Sequence, residues 1–461
     1  MRILVEPGGT VEGEIVVPGD KSIAHRWLIL SATAGGTSVL TGLPAALDVG
    51  STARCLAAVV GLRTRPRLEA WGSILEHQGV GAGLTVDGRV GPTEAGAELV
   101  IEAEGRDRLQ VPGRPLDCGN SGTTMRLLTG ILAASPFSSM LTGDESLRAR
   151  PMERVAVPLR EMGASIRTDR GHPPVEVHGR PLRGIRHELA VPTAQAKGAI
   201  LLAGLAAEGW TTVVEPARTR DHTERALRRL GAPIRLEEGE RAISISVSRF
   251  QHDGFEAEVP GDVSSAAFLV GAAILTGGEL SIRGVGLNPT RTHFLSVLDR
   301  MGVGTEPRVN GEELGEPVGE LFVARVAGLR GTDVTVAELP LVIDEVPVLA
   351  ALAAHADGTT RFTGGAELRA KESDRLTGVA EMVRDLGGRA TVEGEDLVVE
   401  GGGLPGGRTS ARRDHRLAMA AAIAALGARA GCEIDGMEWS EVSFPGFLPA
   451  LSALGARVEA A

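Results

Sequence analysis

The sequence predicts an α/β (α+β) protein of two domains, each containing three βαβαββ units with buried helices. An Ala-rich apolar helix pattern, opened by a Gly, Pro or polar turn, recurs six times along the 461 residues. A second, amphipathic pattern that ends in a hydrophobic residue followed by Gly recurs six times in step with it. Both return at roughly 70-residue spacing after a longer first interval, and such self-similarity indicates repeated supersecondary units.

The first helix of each unit has apolar residues nearly all round, which predicts that it is buried. The six predicted starts lie near Ser22, Gly122, Thr193, Asp262, Asp344 and His415. The chain up to about Val17 is strand-like and precedes the first of these helices. It can complete the second domain rather than the first, which would place Lys21 at a crossover.

The second helix of each unit carries charges on one face, which predicts that it lies on the outside. Glycine directly after such a helix fits a left-handed C-cap, a conformation that a residue with a Cβ adopts at a cost. The six pairs are Val60-Gly61, Met162-Gly163, Leu230-Gly231, Met301-Gly302, Leu386-Gly387 and Leu454-Gly455. Gly-rich residues 71–96 lengthen the first unit and are predicted to be an insertion.

Composition restricts the classes of function. The net charge of −11 argues against nucleic-acid binding, although a local cationic pocket can still bind anionic substrates. Three widely separated cysteines give neither a zinc spacing nor a disulfide framework, which favours a reducing compartment. No signal peptide or membrane span is apparent, so we expect a cytoplasmic protein without membrane contact.

Polar residues concentrate at the predicted helix starts. Lys21, Ser22 and Arg26 follow a Pro-Gly turn at the first helix, where free N–H groups and the helix dipole favour an anion. These residues indicate a phosphate or carboxylate site. For this segment alone, a solvated cap with surface charges is an equally good interpretation.

Ordinary capping explains part of the pattern, because Asp and Asn are preferred N-caps, and we favour it for Asp221, Asp262 and Asn288. Basic residues at helix starts oppose the dipole instead. Such breaks of a local rule tend to mark function, so we favour ligand binding for four of them. They are Lys21, Arg150, Lys371 and Arg416.

Carboxylates stand among these cations. Asp344 and Glu345 interrupt an apolar run, and Glu372 lies between Lys371 and Arg375. Nearby cations favour the charged form of a carboxyl group, whereas burial favours the neutral form. Two carboxyl groups in such different surroundings can act as general acid and general base. The sequence shows neither a Ser-His-Asp order nor an HExxH motif. It also lacks a Walker sequence, which argues against a P-loop NTPase.

Ten segments in the same order resemble the 5-enolpyruvylshikimate-3-phosphate synthase family. They are PGDKSIAHR, LDCGNSGTTMRLL, RARPMERV, PTAQAKGAILLAGL, RDHTERAL, VPGDVSSAAFLV, GLNPTRT, LPLVIDEVPVLAALA, ELRAKESDRL and DHRLAMA. The resemblance runs from about residue 8 to the C-terminus, outside 71–96.

The resemblance implies the two-domain enolpyruvyl transferase fold, an inverse α/β prism in which the chain start joins the C-terminal half. The expected N-terminal domain, 21–257, binds mainly shikimate 3-phosphate. The expected C-terminal domain, 1–20 plus 258–461, supplies phosphoenolpyruvate contacts and catalytic residues.

The resemblance also implies a reaction. The enolpyruvyl group of phosphoenolpyruvate passes to the 5-hydroxyl of shikimate 3-phosphate, and phosphate leaves without a metal or organic cofactor. The two substrates are the expected partners, and a monomer is expected. By resemblance, Asp344 takes the hydroxyl proton, whereas Glu372 and Lys21 transfer the proton to and from the methylene carbon of phosphoenolpyruvate. Protonation makes the neighbouring carbon cationic, and nearby carboxylates stabilise that charge.

The substrate contacts follow from the same resemblance. Those for shikimate 3-phosphate are Lys21, Ser22, Arg26, Thr193, Ala194, Gln195, Thr219, Asp344 and Lys371. Those for phosphoenolpyruvate are Lys21, Asn120, Gly122, Arg150, Gln195, Arg375 and Arg416.

The sequence departs from the family pattern at several positions. Val442 stands where many members have a lysine, so one phosphoenolpyruvate contact is absent or comes from elsewhere, such as His415 or Lys197. Ser51-Thr52 stands where an Asp-Thr pair is usual, and Glu367 stands where some members have Asn. These features resemble the second class of the family. Gly122 leaves the phosphoenolpyruvate pocket open, which predicts inhibition by glyphosate.

Three other functions compete with this interpretation. UDP-N-acetylglucosamine enolpyruvyl transferase shares the repeat, but its loop cysteine is missing from GDESLRARP. RNA 3′-phosphate cyclase needs RNA, which the acidic balance disfavours. A non-catalytic phosphoester-binding protein on the same scaffold would not need Lys21, Asp344 and Glu372 together.

Overall fold

The computed structural model describes residues 1–60, 97–239 and 242–460. The predicted insertion at 71–96 and Gly61 lie outside the described residues. The chain divides into two compact units, which we call the C-terminal unit (Met1–Pro18, Pro260–Gly311 and Pro317–Ala461) and the N-terminal unit (Gly19–Val259 and Glu312–Glu316).

The chain begins with β1 (Arg2–Glu6) and β2 (Gly13–Val16), which belong to the C-terminal unit. The N-terminal unit follows. Its helices are α1 (Lys21–Thr33), α2 (Leu47–Val60), α3 (Gly122–Leu132), α4 (Glu145–Arg148), α5 (Glu153–Glu161), α6 (Ala194–Gly204) and α7 (His222–Arg229). Its strands are β3 (Gly35–Leu43), β4 (Ala97–Glu104), β5 (Leu116–Asp117), β6 (Ser138–Thr142), β7 (Ser165–Asp169), β8 (His172–His178), β9 (Arg186–Glu188), β10 (Thr211–Glu215), β11 (Ile234–Glu238), β12 (Ile243–Val247) and β13 (Glu256–Glu258).

The C-terminal unit continues from residue 260. Its helices are α8 (Val263–Thr276), α9 (His293–Arg300), α10 (Leu339–Val342), α11 (Val346–His355), α12 (Arg375–Asp385), α13 (His415–Leu426) and α14 (Phe447–Ala453). Its strands are β14 (Leu280–Gly286), β15 (Thr305–Glu313), β16 (Glu316–Val323), β17 (Asp333–Val334), β18 (Thr359–Phe362), β19 (Arg389–Glu393), β20 (Asp396–Glu400), β21 (Arg408–Ser410), β22 (Cys432–Asp435) and β23 (Arg457–Ala460). Short 3-10 helices span Arg106–Arg108, Gly365–Ala370 and Met437–Val442.

One βαβαββ repeat of the N-terminal unit shows how the strands and helices are connected. Strands β5 and β6 pair in parallel and are joined through α3, which is the usual way to connect parallel strands. After α5, β7 and β8 form an antiparallel hairpin, and β8 pairs with β6. Five of the six sheets that the described strands form have four strands on this plan, and the sheet of β13, β3 and β4 has three. The predicted α/β fold of βαβαββ units is therefore confirmed.

Strands from the chain start complete sheets of the C-terminal unit. β1 lies between β22 and β23, and β2 pairs in parallel with β14. β13, the last strand of the N-terminal unit, pairs in parallel with β3 of the same unit. The chain therefore passes between the units just before Lys21, which opens α1.

The Ala-rich first helices are buried, as predicted. Within α8, the run Val263–Ile274 is buried throughout, and the same holds for α13 from His415 to Leu426. The helices pack so closely that a Cβ at Gly271 would lie 2.8 Å from Val348 Cγ2 on α11. In the N-terminal unit, a Cβ at Gly130 would lie 2.2 Å from the carbonyl oxygen of Ala199. Small residues permit both contacts.

The glycines that follow the second helices have the predicted left-handed backbone. The φ angles are +109° at Gly163, +88° at Gly231, +92° at Gly302, +83° at Gly387 and +105° at Gly455. One predicted helix start differs, because α11 begins at Val346, two residues after Asp344. Asp344 lies in the turn between α10 and α11, and this turn sets its direction.

Among the described residues, no helix has both the length and the apolar character needed to cross a membrane.

Candidate active site

The predicted site residues of the N-terminal unit lie at the starts of its helices or in the segments before them. Lys21 opens α1, and its Nζ lies 2.9 Å from a carboxylate oxygen of Asp48 on α2. Both side chains are mostly buried, with 13% and 18% exposed. The Thr124 hydroxyl of α3 donates to the backbone oxygen of Asp48 at 3.4 Å. Asp48 therefore connects the starts of α1 and α3, and the sequence analysis missed it.

Arg26 is buried among neutral hydrogen-bonding groups. Its Nε donates to the Thr223 hydroxyl at 2.8 Å, and its Nη1 donates to the Ser22 carbonyl at 2.7 Å. Burial lowers the pKa of Arg26 to about 10, and the charge of Glu224 opposes this shift. Such a guanidinium gains more than an exposed one from a bound anion, because water screens it little.

The Gly-Asn-Ser-Gly turn before α3 is held by its own side chains. The Ser121 side chain caps α3 by accepting from the Thr124 backbone N–H at 3.2 Å. Arg150 Nη2 donates to the Asn120 side-chain oxygen at 2.9 Å, and Asn120 in turn donates to Asp144. The structure therefore brings Asn120 and Arg150 together, although 30 residues separate them.

Gln195 extends this group to the start of α6. Its amide nitrogen donates to the Thr123 hydroxyl at 2.9 Å, and its oxygen accepts from Arg126 Nη1 at 2.6 Å. A Cβ at Gly122 would lie 2.5 Å from Arg126 Nη1 and 3.4 Å from Arg150 Nη1. Gly122 is thus flanked by two guanidinium groups, and the sequence analysis missed Arg126.

Two hydroxyl groups complete the N-terminal set. Thr193 is the N-cap residue of α6, yet its side chain makes no capping hydrogen bond. Thr219 is buried and donates its hydroxyl to a Glu215 carboxylate oxygen at 2.6 Å. Neighbouring Ala194 and Ser22 are half-buried at the starts of their helices.

In the C-terminal unit, Arg375 is a buried guanidinium that contacts three carboxylates. Its Nε lies 2.8 Å from Asp414, its Nη1 lies 3.2 Å from Asp344, and its Nη2 lies 2.5 Å from Glu372. Burial alone would lower the pKa of Arg375, but the charges of Asp414, Glu372 and Asp344 raise it. This guanidinium therefore stays charged.

Asp344 faces three cations from three segments. Its Oδ1 lies 3.2 Å from Arg375 Nη1, 3.6 Å from Lys371 Nζ and 3.7 Å from Arg416 Nε. Arg416 also donates through Nη1 to the Asp344 backbone oxygen at 3.0 Å. These contacts fix both the carboxylate and the backbone of Asp344, and its side chain remains 12% exposed.

Asp414 organises the remaining groups. It caps α13 by accepting from the Arg416 backbone N–H at 2.8 Å, and it accepts from the Ser373 hydroxyl at 3.0 Å. Burial would raise the pKa of Asp414, but the charge of Arg375 lowers it. The structure thus brings Lys371, Glu372, Arg375, Arg416 and Asp344 into one cluster with Asp414. Asp414 was not among the predicted site residues.

The expectation about Lys197 needs correction. Lys197 cannot replace the lysine missing at Val442, because its side chain is 1% exposed and already paired with Glu215 and Glu224. Thr52, on α2, lies in the interior and bonds to His25 and Thr124. Asp48, on the same helix, is partly exposed and pairs with Lys21.

Of the predicted caps, Asp262 caps α8, but Asp221 makes no capping bond with its side chain and pairs with Arg225.

The fold and these clusters describe a class of α/β protein that carries cationic side chains at helix starts and carboxylates beside them. Comparison with known proteins narrows this class. The profile of EPSP synthase (3-phosphoshikimate 1-carboxyvinyltransferase) matches residues 5–82 and 89–451. The chain belongs to the EPSP synthase family.

Individual relatives match along nearly their whole length. The 3-phosphoshikimate 1-carboxyvinyltransferase of Halorhodospira halophila is 45% identical over 468 residues, which cover 99% of this chain and 96% of the relative. That of a Thermus thermophilus strain is 45% identical over 453 residues, with 97% of each chain covered. A solved structure of EPSP synthase from Acinetobacter baumannii superposes with a TM-score of 0.83 at 37% identity, covering 99% of both chains.

Proposed function

We propose that the residues described above carry out the reaction of the EPSP synthase family in this protein. That reaction transfers the enolpyruvyl group of phosphoenolpyruvate to the 5-hydroxyl of shikimate 3-phosphate and releases phosphate, in the shikimate pathway of aromatic amino-acid biosynthesis. The observation that carries the proposal is the cluster at Asp344, where a carboxylate sits beside Lys371, Arg375 and Arg416.

The N-terminal unit mainly binds shikimate 3-phosphate. Lys21, Ser22 and Arg26 stand at the start of α1, where backbone N–H groups and the helix dipole add to their charge. Thr193, Ala194 and Gln195 offer a second helix start at α6. The contacts of this substrate also include Thr219, Lys371 and Asp344.

Phosphoenolpyruvate binds to a separate set of groups. Asn120, Gly122, Arg150 and Gln195 supply the contacts from the N-terminal unit, and Lys21 also reaches this substrate. Gly122 presents no side chain between Arg126 and Arg150, so an anion can approach these guanidinium groups closely. Arg375 and Arg416 supply the contacts from the C-terminal unit, and their planar groups suit carboxylate and phosphate oxygens.

Proton transfer is assigned to three side chains. Asp344 takes the proton of the 5-hydroxyl, because the cations around it favour the charged carboxylate, which is the form that can accept a proton. Glu372 and Lys21 handle the proton that passes to and from the methylene carbon. The Glu372 side chain contacts Arg375 and is 25% exposed, so it can turn towards a substrate. The carboxylates stabilise the cationic carbon that this protonation creates.

The proposal also includes a monomeric, cytoplasmic enzyme that needs no metal or organic cofactor.

Release of phosphate tests the proposal directly. We expect purified enzyme to release phosphate only when shikimate 3-phosphate and phosphoenolpyruvate are both present. Lys21→Ala and Arg416→Ala should each lower kcat/KM by about 100-fold or more. Arg361→Ala, which removes an exposed cation paired with Glu393 and Asp396, is the matched control and should retain wild-type turnover.

Other outcomes would replace the proposal. Release with UDP-N-acetylglucosamine in place of shikimate 3-phosphate would assign the other enolpyruvyl transferase. Binding of either substrate without any release would assign a phosphoester-binding protein.

A further inference from the structure

The N-terminal unit contains a buried cluster of charged side chains, and its residues are not among the proposed site residues. Lys197, on α6, places its Nζ 2.7 Å from Glu224 Oε1 and 3.1 Å from Glu215 Oε1. The three side chains are 1%, 6% and 2% exposed. Burial opposes the charge of Lys197, but Glu224 and Glu215 outweigh this effect and raise its pKa. We call these three residues the Lys197 triad.

One carboxylate of the triad bonds to a proposed substrate contact, and the other acts on a second contact through its charge. Glu215 Oε2 accepts the hydroxyl hydrogen of Thr219 at 2.6 Å, and its Oε1 accepts from the Thr219 backbone N–H at 3.4 Å. Glu224 follows Thr223 at the start of α7, and the Thr223 hydroxyl accepts from Arg26 Nε at 2.8 Å. The triad is therefore bonded to Thr219, and it is connected to Arg26 through the Thr223–Glu224 backbone and through the charge of Glu224, which opposes the lowering of the Arg26 pKa.

Stability does not account for such a cluster. Two buried carboxylates and one ammonium group lose their hydration, and apolar residues of similar volume often serve a core equally well. Glu224 Oε2 has no hydrogen-bond partner among the described residues, which adds to this cost. What a buried network of this kind can provide is one fixed arrangement of the groups attached to it.

The hydroxyl of Thr219 shows what the fixed arrangement does. A threonine hydroxyl has one hydrogen, and here that hydrogen points to Glu215. When the hydroxyl turns to donate to a phosphate oxygen, Glu215 loses this partner but keeps the Lys197 ammonium group and the Thr219 backbone N–H. Lys197 therefore allows the donor to change partners without leaving a bare buried carboxylate.

We propose that Lys197 is a positioning residue for shikimate 3-phosphate, which holds Thr219 through Glu215 and the Arg26 contact through Glu224. This inference rests on the proposed function, because Thr219 and Arg26 are contacts of that substrate only there. It assigns Lys197 to the substrate that the N-terminal unit binds and gives it no role towards phosphoenolpyruvate.

Substrate-specific kinetics test the inference. In Lys197→Met, we expect KM for shikimate 3-phosphate to rise about 10- to 100-fold, because hydrogen bonds to its charged groups are lost or misplaced. KM for phosphoenolpyruvate, measured at saturating shikimate 3-phosphate, should stay within about twofold. Calorimetric binding of shikimate 3-phosphate alone should show the same loss as KM.

Because Lys197→Met leaves two carboxylates buried, a second variant guards against misfolding. Lys197→Met with Glu224→Gln removes one charge of each sign and should melt closer to the wild-type temperature while keeping the raised KM. The matched control is Arg106→Met, since Arg106 is another buried cation against α6 and donates to the Leu202 carbonyl at 2.7 Å. This control should leave both KM values unchanged.

Two results would overturn the inference. One is a folded double variant with wild-type KM for shikimate 3-phosphate. The other is an equal rise of that KM in Arg106→Met, which would show that any loosening of α6 has the same effect. Failure of the proposed function looks different, because the wild-type enzyme would then release no phosphate with the two substrates, or Lys21→Ala would leave turnover intact.

Discussion

Arg26 and Arg375 are both buried arginines near the start of a helix, with 3% and 1% of their surface exposed. Their surroundings are opposite. Arg26 donates to a hydroxyl and a carbonyl, and its pKa is lowered to about 10 by burial, although Glu224 opposes the shift. Arg375 donates to three carboxylates, which raise its pKa against the effect of burial.

The difference teaches that, under the proposed function, one enzyme would have two kinds of anion site. Arg26 donates to neutral groups, so an incoming anion adds a charged partner and displaces none of its bonds. Arg375 already has carboxylate partners, so under the proposed function a phosphoenolpyruvate carboxylate would exchange with one of them. Glu372 is the partner that can leave, because its side chain is more exposed than those of Asp344 and Asp414.

The largest expected effect comes from removing the paired arginine. Arg375→Met leaves Asp344, Glu372 and Asp414 without their shared cation in a buried setting. We expect the free energy of unfolding of the C-terminal unit to fall by about 3–5 kcal/mol. Urea unfolding measured by circular dichroism checks this, and a loss below about 1 kcal/mol would show that the three carboxylates do not depend on Arg375.

His25, beside Arg26, sharpens the comparison through pH. Burial lowers the pKa of His25 to about 3, although Asp48 opposes the shift, so the folded protein keeps this imidazole neutral. Below the ordinary value of 6.5 the unfolded chain takes up a proton that the folded chain does not, and stability falls as pH falls from 6.5 towards 3. Between pH 7 and pH 5 this should cost about 2 kcal/mol.

His25→Gln should lose this pH dependence. The check is the free energy of unfolding in urea at pH 7, 6 and 5, in both proteins. If the two proteins lost equal stability over this range, His25 would not be the neutral buried group that the structure shows.

Gly122→Ala tests the guanidinium groups of Arg126 and Arg150, and its expected effect is smaller. The new Cβ would displace Arg126 Nη1 and press on Arg150, so we expect KM for phosphoenolpyruvate to rise by about tenfold. Glyphosate should inhibit the wild-type enzyme and inhibit this variant less. Gly113→Ala is the control, because a Cβ there meets nothing within 4 Å. Wild-type activity that is unchanged at millimolar glyphosate would contradict the prediction.

The smallest expected effect is on the stability of Arg26→Met. Because Arg26 has neutral hydrogen-bond partners, its removal leaves no bare carboxylate among the groups to which it donates. The free energy of unfolding should stay within about 1 kcal/mol of wild type. A loss as large as that of Arg375→Met would remove the distinction between the two arginines.

The sequence predicted the features that depend on local chemistry. Gly387 could be placed after a helix because glycine tolerates the left-handed backbone that often ends a helix, and the structure shows this conformation there. The helix starts could be found because apolar periodicity is a local property of the sequence. The resemblance supplied the candidate residues at those starts.

Partners that depend on tertiary packing could not be predicted. Lys21 meets Asp48 across 27 residues, and Arg375 meets Asp414 across 39, and no spacing rule connects either pair. Lys197 resembled the other cations because it stands two residues after Gln195. Its burial between two carboxylates, which the sequence does not show, gives it a different place.

Affinity for shikimate 3-phosphate in matched variants tests the central claim most directly. Arg26→Lys and Arg375→Lys both keep a positive charge and lose the guanidinium geometry. By titration calorimetry without phosphoenolpyruvate, we predict that Arg26→Lys weakens binding by about 10-fold or more, whereas Arg375→Lys stays within about threefold of wild type. Equal affinities in wild type and Arg26→Lys, or a larger loss in Arg375→Lys, would contradict the account.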